Sequence, residues 1–366
     1  MPALKSYVIR YVLSEGRQMR KRKFYEQKLA SREIVFFHDP KDAHSALLAA
    51  QIPKLLERYG LTLRPFTIGD MPPQYAPELG ALRVWNADDA KWLAGKHGLD
   101  FPGPVPGEIA NAPGGTAQLL KLGHYQGGMI YYAGEWYWGV DRLHFLEDRL
   151  QGLGLGQGKR LIAKPIDWDR SDSRQTDKPI TAFLSLRSPY SYMAAMQVYD
   201  LARQHGTRVD LRPVLPMVMR GYNVPKSKRL YIAGDVARRA RSKDIDYGLI
   251  RDAVGKPTER GMAILARVLG TPREEAFLKS FYRAVWSEGV NAGSAVGLRK
   301  ICERAGISRI EVGAALGDES WREMAGQNQA DLQATGLWGV PSFIVGGKAI
   351  WGEDRLARVQ ENLFSN

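Results

Sequence analysis

Residues 336–363 read GLWGVPSFIVGGKAIWGEDRLARVQENL. Gly346 and Gly347 separate two short apolar runs, and a glycine pair between strand-like segments strongly favours a β-hairpin. We therefore predict strands over residues 343–345 and 348–351, followed by a helix that begins near Asp354. Pro341 stands directly before the first strand, which is unusual because proline has no N–H to donate within a sheet.

An earlier stretch of the chain repeats this pattern. Residues 123–150 read GHYQGGMIYYAGEWYWGVDRLHFLEDRL, align with residues 336–363 without a gap, and share the motif Trp-Gly-x-Asp-Arg-Leu. Upstream, residues 34–66 parallel residues 180–214. Each has an apolar run, a turn, a helical stretch ending at glycine, and a run containing Leu-Arg-Pro. Two repeated pairs in the same order indicate an internal duplication.

Each repeat predicts the order β-α-β, helices, β-β-α. The first strands are continuous apolar runs, as buried parallel strands require, and the helices after them end at glycine stop signals. The middle is short in the first repeat and long and helical in the second, over about residues 228–334. Each repeat is therefore expected to form a mixed sheet covered by helices. In the first repeat we expect the first strand at 35–37, the end of the helix at Gly60 and the second strand at 61–66. In the second repeat we expect them at 181–184, Gly206 and 208–214.

The chain length also favours two domains, since 366 residues exceed a usual single domain. We expect a basic N-terminal segment at 1–30 and a first domain at 31–150. A linker at 151–178, rich in glycine and polar residues, leads to a second domain at 179–366.

Cysteine usage excludes several kinds of chemistry. Cys302 is the single cysteine, so one chain forms no internal disulfide, cysteine zinc site or CxxC redox motif. We interpret it as a buried core thiol on a helix. No run of eighteen apolar residues and no secretory cleavage site is present, so we expect no membrane partner and a cytoplasmic location.

The chain is strongly basic, with a net charge of +13. Basic clusters lie at residues 17–23 and 237–243, and solvated helix faces are the simplest interpretation. No nucleic-acid-binding motif accompanies them, so we expect no nucleic-acid partner. A nucleic-acid-associated protein remains the alternative, and strong salt dependence of binding would mark it.

The candidate chemistry begins at Arg187-Ser188-Pro189-Tyr190, between the first strand and first helix of the second repeat. Proline suits the first turn of a helix, which puts Ser188 near the N-cap. Free backbone N–H groups and the helix dipole favour an anion there. The alternative is that Ser188 is only a cap. A cis Val340–Pro341 bond would leave the Val340 backbone groups to an extended ligand, and an ordinary edge proline is the alternative.

Three motifs together resemble one family. Ser-Pro-Tyr at 188–190, Gly-Val-Pro-Ser-Phe at 339–343 and Trp-Gly-Glu-Asp-Arg-Leu at 351–356 are similar to 2-hydroxychromene-2-carboxylate isomerases and kappa-class glutathione transferases. That family belongs to the DsbA-like branch of the thioredoxin fold. The resemblance covers residues 177–366 well, including a Pro/Lys/Tyr stretch at 223–235, and residues 31–150 weakly.

The resemblance implies an α/β fold of two tandem thioredoxin-like (DsbA-type) domains, each a mixed β-sheet with an inserted helical subdomain. On the repeat alignment Asp42, His44 and Gly128 replace Ser188, Tyr190 and Pro341. The first domain therefore looks like a degenerate copy. We interpret its His38, Asp39, Asp42 and His44 as solvated or capping residues, with no metal site.

The resemblance also implies glutathione as cofactor or co-substrate. Ser188 would donate a hydrogen bond to the glutathione sulfur and favour its thiolate. Val340, beside Pro341, would pair its backbone with the cysteinyl unit. Glu353 and Asp354 would take the γ-glutamyl amine. Lys228 and Asn223 would hold a carboxylate or the substrate, and Tyr190 is a further implied binding residue.

The activity implied is that of a glutathione-dependent isomerase or transferase for a small aromatic or hydrophobic substrate. Sulfur adds to a conjugated double bond, allows rotation and is expelled, so the chain is not a disulfide oxidoreductase. Ser185 and Glu353 depart from the usual family residues, which leaves the substrate open. The alternative is a redox-inactive scaffold that grips peptides by its Pro341 loop. The assembly expected is a monomer with pseudo-dimeric domains or a homodimer.

Overall fold

The computed structural model describes residues 3–29, 32–75, 78–156, 158–162 and 165–365. Within them the strands form two four-stranded mixed sheets. The strands are β1 (Glu33–His38), β2 (Thr62–Thr67), β3 (Met129–Tyr132), β4 (Glu135–Trp138), β5 (Ile180–Leu184), β6 (Val209–Pro213), β7 (Ser342–Val345) and β8 (Lys348–Trp351). The sheet orders are β2-β1-β3-β4 and β6-β5-β7-β8, and the predicted glycine-linked hairpin is confirmed as β7–β8.

Helices cover both sheets. None of those in the described residues is long and apolar enough to cross a bilayer. They are α1 (Leu4–Leu13), α2 (Glu15–Leu29), α3 (Ala43–Ala49), α4 (Ile52–Tyr59), α5 (Leu79–His97), α6 (Gly107–Ala110), α7 (Gly115–Lys121), α8 (Leu143–Gly152), α9 (Pro189–Gln204), α10 (Lys226–Ser242), α11 (Lys256–Val268), α12 (Glu274–Trp286), α13 (Ala295–Arg304), α14 (Arg309–Leu316), α15 (Trp321–Ala334) and α16 (Leu356–Phe364).

The two sheets are paired in the same way. In each, the first strand is central, lies parallel to the second strand and antiparallel to the third. A short apolar run suits this place because the central strand is covered on both faces. The pairs in the first sheet are Phe37 with Phe66 and Met129, and the matching pairs in the second are Phe183 with Arg212 and Ser342.

The described residues divide into two compact units. The C-terminal unit comprises Met1–Ser14, Asp167–Asn223 and Ile232–Asn366, and the N-terminal unit comprises Glu15–Ile166 and Val224–Tyr231. This division differs from the domain boundaries expected from sequence. The basic N-terminal segment forms α1 and α2, which fall in different units, and the first turns of α10 belong to the N-terminal unit.

The predicted linker is hydrogen-bonded to each unit at a point along its length. In the N-terminal unit, the buried Glu147 carboxylate accepts from the backbone N–H groups of Leu161 and Ile162, at 2.7 and 3.1 Å. In the C-terminal unit, the Asp169 N–H donates to the Gln360 side chain at 2.7 Å. These bonds explain how a glycine-rich polar segment keeps a fixed path there.

The inserted helices of the C-terminal unit build its largest apolar core. Phe277, Phe281 and Tyr282 of α12 are fully buried, and each such side chain contributes about 1.5–3 kcal/mol relative to exposure. The Tyr282 hydroxyl donates to the Ser185 carbonyl at 3.0 Å, at the end of β5. The core thus holds the end of β5, where the candidate chemistry begins. Cys302 of α13 is buried in the same core, as expected.

Candidate functional site

The turn between β5 and α9 is built around Ser188. Its backbone is extended, its Oγ accepts from the Ser191 N–H at 3.1 Å, and Pro189 opens the helix. Ser188 is therefore the N-cap of α9, and it satisfies one of the four N–H groups that a helix start leaves without partners. Of the other groups at this helix start, Pro189 has no N–H and the Ser188 N–H donates to the Ser185 carbonyl at 2.9 Å. The positive end of the helix dipole still favours negative charge at this turn.

The Ser188 hydroxyl faces the loop before β7. Its Oγ lies 3.5 Å from the Val340 carbonyl oxygen, with Ser188 as the donor. That separation is long for an O–H···O hydrogen bond, whose usual distance is about 2.7–2.8 Å. The lone pair of Ser188 is thus held by the helix, while its proton is only weakly engaged and can be donated to a ligand.

The Pro341 loop is held against the turn that follows β8. The Val340–Pro341 peptide bond is cis, and the Pro341 carbonyl accepts from the Gly352 N–H at 3.0 Å. Gly339 packs on the indole of Trp351, where an added Cβ would collide with the ring. Any larger residue at 339 would displace the loop, so glycine is needed at that position.

Tyr190 is fixed by a buried carboxylate. Its hydroxyl donates to Asp235 of α10 at 2.9 Å, and Arg238 donates to the other oxygen of Asp235 at 2.8 Å. The Asp235 side chain is fully buried, so its charge requires partners of this kind. The first turn of α9 is therefore tied to α10 through Tyr190.

Glu353 and Asp354 lie in the short turn after β8, and Glu353 is buried. Its carboxylate accepts two hydrogen bonds from Arg239 of α10, the longer of them at 3.0 Å. Asp354 lies 3.2 Å from the guanidinium of Arg355. The Glu353 charge is thus neutralised inside the unit. The expectation of a solvated face at residues 237–243 is wrong for Arg239, which is buried.

The two residues proposed to hold a carboxylate have no hydrogen bond to the Ser188 turn or the Pro341 loop among the described residues. Lys228 belongs to the N-terminal unit, where its amine donates to the Tyr75 carbonyl at 3.4 Å and lies 5.5 Å from the centre of the Tyr125 ring. Burial lowers the pKa of Lys228. Asn223 belongs to the C-terminal unit and is exposed in the loop before α10. Of the predicted residues, Lys228 alone lies in the N-terminal unit, and the C-terminal unit contains Ser188, Tyr190, Asn223, Val340, Pro341, Glu353 and Asp354.

A cation that the sequence analysis missed lies near the Pro341 loop. Arg220, in the turn after β6, donates to the Trp338 carbonyl at 3.2 Å and to the side-chain oxygen of Gln329. Its Nε is buried and has no hydrogen-bond partner among the described residues. Burial also lowers the pKa of Arg220. A lone arginine after a strand gave no sequence signal, because its nearness to residue 338 depends on the tertiary fold.

The equivalent turn of the N-terminal unit has a different cap. Asp42 caps α3 and accepts from the N–H groups of His44 and Ser45, both at 3.3 Å. Asn86 donates to the same carboxylate at 2.8 Å. Gly128, in the place of Pro341, donates its N–H to the Phe37 carbonyl at 2.8 Å. No group of three His, Cys, Asp or Glu side chains in the described residues is arranged to hold a metal ion.

Two sequence comparisons each match about half of the chain. A family model for the DSBA-like thioredoxin domain matches residues 179–364. The 2-hydroxychromene-2-carboxylate isomerase of Sphingobium xenophagum is 28% identical over 200 residues, which cover 51% of this chain and 98% of that protein.

Solved structures match the same share of the chain. A 2-hydroxychromene-2-carboxylate isomerase aligns with a TM-score of 0.44 and 20% identity over 50% of this chain and 93% of the other. The cytosolic disulfide reductase DsbM of Pseudomonas aeruginosa, solved with GSH, aligns with a TM-score of 0.40 and 15% identity over 50% and 95%.

Proposed function

Because the chain belongs to the DSBA-like thioredoxin domain family, we propose that its C-terminal unit is a glutathione-dependent isomerase or transferase for a small aromatic or hydrophobic substrate. The relation to an isomerase supports an enzyme of this general kind. The observation that carries the proposal is the Ser188 hydroxyl. It stands at a helix N-terminus with a weakly engaged proton, next to the Val340 carbonyl.

The chemistry follows from what this turn stabilises. The glutathione sulfur binds as thiolate, since the α9 N-terminus favours negative charge and Ser188 donates a hydrogen bond to it. Bound there, glutathione would supply a nucleophile that adds to a carbon–carbon double bond conjugated with a carbonyl group and is expelled again after that bond has rotated. Thiol and substrate oxidation states are unchanged, which suits a site without cysteine.

Binding of the rest of glutathione is assigned residue by residue. The Val340 backbone pairs with the cysteinyl unit, since the Val340 carbonyl already lies beside Ser188. Asp354 is the better partner for the γ-glutamyl amine, because it is only partly buried, whereas Glu353 is buried against Arg239. Arg220 supplies the cation for a carboxylate within the C-terminal unit, in place of Lys228, since its Nε is still without an acceptor.

We also propose that the N-terminal unit is a diverged copy that does not bind glutathione. The identical strand order and pairing of the two sheets support the duplication. The Asp42 carboxylate, bonded to two N–H groups of its own helix, supports the loss of the site. The cytoplasmic location remains part of the proposal, on the strength of a single, buried cysteine.

Calorimetric titration of the full chain with glutathione tests the proposal. We expect binding by the wild type and by Asp42→Ala, and loss of binding in Ser188→Asp. Aromatic ring-cleavage products with a conjugated double bond are then screened for an absorbance change that requires both enzyme and glutathione. If the wild type binds no glutathione at millimolar concentration, the proposal fails, and the redox-inactive scaffold that binds peptides takes its place.

A further inference from the structure

Helix α1 carries an apolar face that is open to solvent. Five large side chains on this ten-residue helix have exposed fractions between 49% and 81%. Their spacing of three, one, three and one residues puts them on one side of a helix. They are Leu4, Tyr7, Val8, Tyr11 and Val12.

The other side of α1 is attached to the C-terminal unit. Ser6 is buried and donates to the Ile250 carbonyl at 2.7 Å. Leu13 is also buried, and its carbonyl accepts from Arg241 at 3.2 Å. The helix is therefore fixed through Ser6 and Leu13, while its five large exposed side chains point away from the core, unlike those of an ordinary surface helix.

The charged residues of α1 itself are both basic. Lys5 and Arg10 are exposed on α1, and the helix contains no acidic residue. An apolar stripe with basic flanks is the pattern by which amphipathic helices lie on anionic bilayers.

We propose that α1 docks on an anionic lipid surface, in place of the expectation of no membrane partner. Leu4, Val8 and Val12 enter the boundary between headgroups and acyl chains, and the two tyrosines lie at the interface, where such amphipathic rings are favoured. Lys5 and Arg10 pair with lipid phosphates. The attachment is peripheral, since α1 spans only about 15 Å.

A second copy of the chain fits this face less well. Pairing two α1 helices would bring Lys5 and Arg10 of one chain against the same positive charges of the other. A helix of this length also offers far less than the roughly 800 Å² per partner that stable protein interfaces bury.

Vesicle co-sedimentation of the full chain tests the proposal. We expect binding to vesicles of phosphatidylcholine mixed with phosphatidylglycerol and little binding to phosphatidylcholine alone. The triple variant Leu4→Ser/Val8→Ser/Val12→Ser should bind the mixed vesicles at least about tenfold more weakly, because it buries the apolar surface of three fewer side chains in the bilayer. The matched control Val296→Ser/Ile310→Ser changes exposed apolar residues elsewhere and should bind like the wild type.

Two further double variants test the contribution of the basic residues. Lys5→Gln/Arg10→Gln should weaken binding more than Lys226→Gln/Arg229→Gln, which removes two exposed basic residues elsewhere. Equal binding by the triple variant and its control would mean adsorption by net charge and would overturn the proposal. Absence of binding to anionic vesicles would do the same, as would a wild-type dimer that the triple variant converts to monomer in sedimentation.

Discussion

The strand-to-helix turns of the two units share one backbone hydrogen bond and differ in the side chain that caps the helix. In both, the backbone N–H of the residue after the central strand donates to a serine in the first helical turn. This bond joins Asp39 to Ser45 at 2.9 Å and Ser185 to Ser191 at 3.2 Å. The caps differ, since Asp42 is a carboxylate with three donors and Ser188 is a hydroxyl with one.

Under the proposed function, this difference separates a structural turn from a binding turn. A helix N-terminus favours one negative charge, and in the N-terminal unit Asp42 provides it from within the chain. In the C-terminal unit Ser188 is neutral, so the favourable position is left to an anion from outside. The loops that face these turns also differ. The Gly128 N–H donates to the Phe37 carbonyl, whereas Pro341 has no N–H to donate.

The largest expected effect concerns a second difference between the units. Glu353 is buried beside Arg239, whereas Val140, at the same place in the repeat, is buried and apolar. Arg239→Leu leaves the Glu353 charge without its partner and should lower the free energy of unfolding by about 3–5 kcal/mol. Adding Glu353→Val should restore most of this loss, as chemical denaturation of the three variants will measure. A double variant no more stable than the single would mean that the two sites are not equivalent.

The second-largest effect is expected from a substitution that gives the C-terminal turn the capping residue type of the N-terminal turn. Ser188→Asp puts a carboxylate where Asp42 stands, so it repels the thiolate and removes the hydroxyl donor. Glutathione should bind weaker by about 2–3 kcal/mol, roughly a hundredfold. The melting temperature should hold or rise, because aspartate caps helices as well as serine does. Undiminished binding in calorimetry would refute the comparison of the two turns.

Removal of each cap should have unequal costs. Asp42→Ala loses bonds from His44, Ser45 and Asn86 and should destabilise the protein by about 2 kcal/mol. Ser188→Ala loses a single N–H acceptor and should cost about 1 kcal/mol. Urea denaturation of both variants measures the difference. Equal losses would show that the additional partners of Asp42 contribute nothing.

The smallest effect is expected at Cys302. Burial raises the pKa of its thiol to about 12, so the thiolate needed for reaction is nearly absent near neutral pH. Native protein should react with an aromatic disulfide reagent far more slowly than protein in denaturant, and it should not oxidise a reduced test protein. Rapid reaction of the native thiol would mean that this part of the core opens readily.

The features that could be predicted from sequence depend on residues that are close together in the chain. The β7–β8 hairpin follows from two glycines between apolar runs, and the Ser188 cap follows from Ser-Pro after a strand. Other features depend on pairs distant in the chain. Arg239 meets Glu353 across 114 positions, and nothing in its basic run distinguishes it from exposed neighbours. The unit to which Lys228 belongs is likewise set by tertiary packing, which local patterns do not encode.

The thiolate titration of bound glutathione tests the central claim most directly. Ultraviolet absorbance of the thiolate is followed against pH in the wild type, Ser188→Ala and the control Asp42→Ala. Losing one hydrogen bond to a charged group costs about 1.5–3 kcal/mol, so Ser188→Ala should raise the glutathione pKa by about one to two units. Asp42→Ala should leave it unchanged. An unchanged titration in Ser188→Ala, with only a lowered melting temperature, would make Ser188 a cap and contradict the account.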